Sequence, residues 1–139
     1  MKQLMMILLL VATLCNVHGQ QPATSLNGNW KLVASSGSLV QQLQQTQVPE
    51  LRFDTSDKTI SGFAGCNQLS GQFTIEKDQL TIGPLILTKK ACEHMELEFI
   101  IERFLTNVGS YKLERDSLYL YNKSDRNIYL LFNRKAGSI

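Results

Sequence analysis

The chain has 139 residues, with 14 Lys and Arg against 12 Asp and Glu and a formal net charge of +2. That balance excludes the strongly basic surface that nucleic acid demands. The length allows one ordinary domain, and no apolar run approaches the roughly 20 residues that a membrane-spanning helix needs.

Residues 1–19 read as a secretory signal. Lys2 precedes an apolar run over 4–14, and Val17 and Gly19 suit the small-residue positions before a signal-peptidase cut. The expected product starts near Gln20 and is exported to the periplasm or cell envelope, or secreted. Cys15 offers another route, a lipid anchor, but Leu14 stands where a lipoprotein signal wants Gly or Ala. Simple cleavage leaves two of the three cysteines, Cys66 and Cys92. An even count in an oxidising compartment predicts that they pair.

Residues 20–25 form a short polar lead-in, and 26–135 carry the domain pattern. The run 26–34 reads as a strand, with Trp30 and Leu32 on one face by period two. A Gln-rich polar stretch over 35–47 follows and reads as a solvated loop. Strands are expected at 50–54 and 59–63, flanking the turn 55–58, and at 71–76 and 79–82, flanking Lys77-Asp78. In the second pair Phe73 and Ile75 alternate in step with Leu80 and Ile82. An extended piece, 85–88, comes after Gly83-Pro84, where the proline signals an edge, a bulge or a break.

A helix is expected next. Met95, Leu97, Ile100, Ile101, Phe104, Leu105 and Val108 fall on one broad face, with Glu93, Glu96, Glu98, Glu102 and Arg103 largely outside it. Asn107 and Gly109 suit its stop. Strands at 111–114, 118–121 and 128–132 close the chain. The expected fold is mainly β: about eight antiparallel strands in a curled sheet or partly open barrel, with one packed helix.

Gly62 and Gly65 supply backbone freedom where the strand bends around Cys66, and Asn67 suits a turn whose own peptide groups its amide can satisfy. Gly71 then restarts a strand. A bridge from Cys66 to Cys92 would tie the helix to the sheet. The other chemistries fit less well. Cys92, at a helix start, is the better candidate for a reactive thiolate, and His94 the nearest base, but an oxidised pair cannot attack. Cys66, Cys92 and His94 lack a well-spaced fourth metal ligand. No phosphate loop or serine elbow is present, so no catalytic residue, metal or cofactor is expected. Tyr111, Tyr119, Tyr121 and Tyr129 cluster near the C-terminus, either as a half-buried rim or as a mouth for an apolar ligand or partner.

The order Leu26-Asn27-Gly28-Asn29-Trp30-Lys31-Leu32, then Ile60-Ser61-Gly62-Phe63-Ala64-Gly65-Cys66-Asn67 with Gly71, then Thr88-Lys89-Lys90-Ala91-Cys92 with Met95-Glu96, resembles the META/HslJ family of small bacterial envelope domains. The resemblance spans nearly all of the chain after the signal. One departure is the basic pair Lys89-Lys90, where the family often has a less basic one. The resemblance implies a barrel-like β fold with a packed helix, frequent lipoprotein signals and an association with heat or envelope stress. It implies no agreed activity, cofactor or substrate. The expected function is therefore that of an exported, non-enzymatic, stress-associated envelope protein acting through binding or structural support. Two alternatives stay open: a carrier of a lipid-like or small apolar ligand inside the barrel, and a thiol–disulfide redox protein.

Overall fold

In a computed structural model the described residues are 25–37 and 47–136. The expected signal, Cys15, nearly all of the lead-in and most of the Gln-rich stretch lie outside them.

The strands are β1 (Gly28–Ser35), β2 (Glu50–Asp54), β3 (Thr59–Phe63), β4 (Gln68–Glu76), β5 (Gln79–Ile82), β6 (Ile86–Leu87), β7 (Val108–Glu114), β8 (Ser117–Asn122) and β9 (Tyr129–Arg134), with one helix, α1 (Glu96–Leu105), between β6 and β7. Their order, β3-β2-β1-β9-β8-β7-β5-β4, returns from β4 to β3, so the antiparallel sheet closes into a barrel of eight positions. β5 and β6 share one position. Gly83 donates to the Gln72 carbonyl and Thr88 to the Gln68 carbonyl, both on the edge of β4 opposite β3. Pro84 interrupts the ladder between them, because proline has no amide to contribute.

Period-two alternation makes the core. Trp30, Leu32, Leu51, Phe53, Ile60, Leu69, Phe73, Leu80, Ile82, Leu118, Leu120, Leu130 and Phe132 are buried, while the strand positions between them face out or stay half-exposed. A closed eight-stranded barrel is just wide enough for side chains to fill, and the edge-to-face pair Phe53–Phe73, 5.3 Å between centroids, lies inside.

The helix closes one end. Its first turns are hydrogen bonded to the β3–β4 loop through Glu98. Just past its last turn, the Asn107 carbonyl accepts from the Lys123 amide beyond β8. Those anchor points lie on opposite sides of the strand ring, and ten residues of helix span about 15 Å. Ile101, Phe104 and Leu105 enter the core from this lid. At the other end the Arg134 guanidinium lies over the Trp30 ring, 4.2 Å from its centroid.

Three expectations are corrected. β4 starts at Gln68, three residues before Gly71, which sits inside the strand; a side chain there would meet Leu85 Cδ2 at 2.9 Å and the Pro84 carbonyl at 3.1 Å. Val108 and Gly109 belong to β7 rather than to the helix end, because the ladder with β8 resumes there across a bulge and Lys123 Cα lies 2.6 Å from where a Gly109 side chain would go. The piece expected over 85–88 pairs as strand only at Ile86 and Leu87.

Candidate functional site

The loop 64–67 that joins β3 to β4 carries the Cys66 motif. Gly62, at the end of β3, has φ +155, and an added Cβ would stand 2.1 Å from the Glu50 carbonyl oxygen, so only glycine lets β2 and β3 pair here. Ala64 donates to the Asn67 carbonyl at 2.9 Å and closes the loop. Gly65, at φ +121, lies under Leu97 and the Glu98 amide, which brings the helix down onto the loop. Cys66 and Cys92 are joined by a disulfide with their Cα atoms 6.0 Å apart, in the usual range for a bridge.

Beneath the disulfide lies a polar network centred on Glu98, 3% exposed. The Cys66 amide donates to Oε2 at 3.2 Å, the Asn67 amide donates to the same oxygen, and Asn67 Nδ2 donates to Oε1 at 2.8 Å. Three donors around one buried carboxylate supply the compensation that burying a charge requires. Asn67 then reaches the other side. Its Oδ1 accepts from the Lys90 amide at 2.7 Å and from Thr88 Oγ1 at 2.9 Å, and its Nδ2 also donates to the Lys90 carbonyl at 3.1 Å. The amide expected to serve its own loop instead binds a segment 21 to 23 residues away and, 31 residues away, the helix. Loop, β6 exit and helix start are thus joined by one covalent bond and one amide–carboxylate pair.

Glu98 escaped the sequence reading, which placed it with the solvated acids. The signal was present: it stands three residues before Ile101 and seven before Leu105, on the stripe that is buried. Phe99, one residue on, points outward and is 60% exposed.

Next to this network an apolar trough of about 580 Å³ runs between β6 and α1. Leu85 and Leu87 form one wall; Met95, Phe99 and Glu102 form the other; Lys89 and Lys90 stand at one end. The disulfide lies in its floor through Cys92.

The four tyrosines separate. Tyr119, Tyr121 and Tyr129 meet on the outer face of β8 and β9, with centroids 6.0 to 6.3 Å apart, and Arg126 lies 5.1 Å from the Tyr121 ring centroid. Tyr111 pairs opposite the buried Leu120 and packs against the core, so it is not part of that face. Among the described residues the centre of the barrel is occupied by Trp30, Phe53, Phe73 and Phe132. His94 is exposed at the helix start. Among the described residues no group of three or more His, Cys, Asp or Glu side chains is placed to hold a metal ion, and no helix is long and apolar enough to cross a membrane.

Residues 23–135 match the family described as META domain. No curated protein matches the chain. Among solved structures, a protein from Burkholderia xenovorans determined by NMR is similar at 22% identity, over 79% of this chain and 83% of its own, with a TM-score of 0.62. A DUF4847 family protein from Bacteroides vulgatus is similar at 14% identity, over 78% of this chain and 93% of its own, with a TM-score of 0.57. Both likenesses are of fold.

Proposed function

The chain belongs to the META domain family, and from that premise we propose that it is an exported, stress-associated envelope protein that works by binding other envelope proteins through its outer surface, without catalysis. The observation that carries this reading is the commitment of its interior. The barrel centre is filled by large side chains that are fully buried, and its two ends are covered by α1 and by Arg134. A carrier of lipid-like ligands needs that space for its cargo. The motif residues are equally committed: Cys66 is bonded to Cys92 and only 5% exposed, and Asn67 and Glu98 are engaged with each other. The Cys66 end of the bridge is buried, so a thiolate could approach only the half-exposed Cys92 end, which weighs against disulfide exchange as its work. The tie suits a protein that must stay folded when its compartment is heated. Stress association and export rest on the family resemblance and on the signal pattern of residues 1–19.

The test is photo-crosslinking of the full chain in its native envelope, followed by identification of attached molecules and mass measurement of the mature product. Recovered envelope proteins and a start near Gln20 agree with the reading. A co-purifying lipid, or turnover of a disulfide substrate, would overturn it.

A further inference from the structure

We infer that the trough between β6 and α1 receives an extended peptide segment of a partner protein, added as a strand to β6, with an acidic residue toward Lys89 and Lys90 and a basic one toward Glu102. This rests on the binding reading above and names its surface. The first support is the backbone. β5 is hydrogen bonded on both edges, by β4 and β7, whereas β6, in the same barrel position, is paired among the described residues with β4 alone. Ile86 and Thr88 face β4 in that ladder, so by antiparallel alternation the N–H and C=O of Leu87 point the other way, into the trough. An unpaired edge of this kind is a template for another strand.

The second support is apolar surface. Phe99, 60% exposed, lines the trough with Leu85, Leu87 and Met95, so a seated strand would cover it. The third is charge. Lys89 and Lys90 lie where β6 leads into the Asn67 contacts, beside the first turn of α1, and Glu102 lies further along the helix. None of the three has an ion-pair partner among the described residues. A strand antiparallel to β6 therefore meets lysines at its N-terminal end and a carboxylate at its C-terminal end. A second copy of the chain fits less well, because its β6 would bring its own β4 into the place held by α1.

The experiment titrates the exported chain with two synthetic peptides, Glu-Val-Thr-Val-Thr-Arg and its charge-reversed form Arg-Val-Thr-Val-Thr-Glu, with amide exchange read by NMR. The first should bind at least tenfold more tightly and slow exchange at the Leu87 amide. The paired variant Lys89→Glu with Lys90→Glu should reverse the preference. Equal binding of the two peptides, no protection at Leu87, loss of binding in Tyr119→Ser with Tyr129→Ser, or concentration-dependent dimers that protect Leu87 without peptide would each overturn the inference. Envelope crosslinking with the charge-swapped chain separates the two levels. Unchanged partners sink the trough and leave the binding function standing, whereas a wild-type chain that captures none removes the function itself.

Discussion

Asn67 and Glu98, 31 residues apart, satisfy each other: the side-chain amide of one donates to Oε1 of the other at 2.8 Å, and its backbone amide donates to Oε2. Every donor facing the carboxylate is an N–H, so both oxygens must accept. Glu98→Gln puts an NH₂ group against one of those donors and should lower stability by about 1–3 kcal/mol, the cost of a buried unsatisfied pair. Glu98→Ala leaves three donors without a partner and should cost more. Urea unfolding measures both. Equal stability of Glu98→Gln and wild type would mean that the network contributes nothing net.

The disulfide closes a loop of 26 residues' separation over the same loop. The chain-entropy relation gives about 3–4 kcal/mol for that closure. For a domain of this size such a loss lowers Tm by roughly 10–20 °C. Cys66→Ser with Cys92→Ser should show it in a thermal melt. Since disulfide and carboxylate hold the same two segments, the triple variant with Glu98→Gln should be destabilised by something other than the sum of the two effects. Simple additivity would show that they act on separate parts of the fold.

The hairpins, the buried faces and the helix were legible because side-chain alternation is local: Phe73, Ile82 and Leu120 announce their faces within a few residues. Closure of the barrel was not. It depends on pairings between segments far apart in sequence, β1 with β9 and β5 with β7, and on a glycine at 62 that lets β2 and β3 approach past the Glu50 carbonyl. Glu98 was misplaced because residue type outweighed position: an acid on an apolar stripe is normally an error of phase, and its compensating donors come from a loop 31 and 32 residues earlier. The tyrosines were grouped by proximity in sequence, whereas strand parity sends Tyr111 inward and the other three outward.

Gly62 gives a sharp steric test. A methyl group there would overlap the Glu50 carbonyl at 2.1 Å and require φ near +155, so β2 and β3 must separate to admit it. Gly62→Ala should cost at least about 3 kcal/mol, combining overpacking with a conformation that only glycine holds easily. Gly37→Ala is the control. At φ +77 it too is in the left-handed region, but nothing lies within 4 Å, so only the backbone part of the cost, about 1 kcal/mol, remains. Similar losses at both positions would show that the contact with Glu50 is relieved by a small shift.

Trp30 is the sole tryptophan of the chain, so its emission reports on the barrel end opposite the helix. Arg134 covers it: the guanidinium carbon is 4.2 Å from the ring centroid, Nη1 donates to the Asn27 carbonyl at 2.8 Å, and Nη2 donates to the Ser25 carbonyl at 2.6 Å. A planar fork can stack and make both bonds at once; an ammonium cannot. Arg134→Lys should therefore cost about 1–2 kcal/mol, and Arg134→Ala about 2–3 kcal/mol, from the lost cation–π contact and hydrogen bonds. Arg134→Ala should also raise acrylamide quenching and shift Trp30 emission to longer wavelength as water reaches the ring. The neighbouring Lys135–Glu50 pair, 2.8 Å apart but half in solvent, is the comparison. Lys135→Ala should change stability by under about 1 kcal/mol and leave quenching unaltered. If quenching is the same with and without the Arg134 side chain, the strands alone exclude water from Trp30, and the stopper assigned to Arg134 is not one.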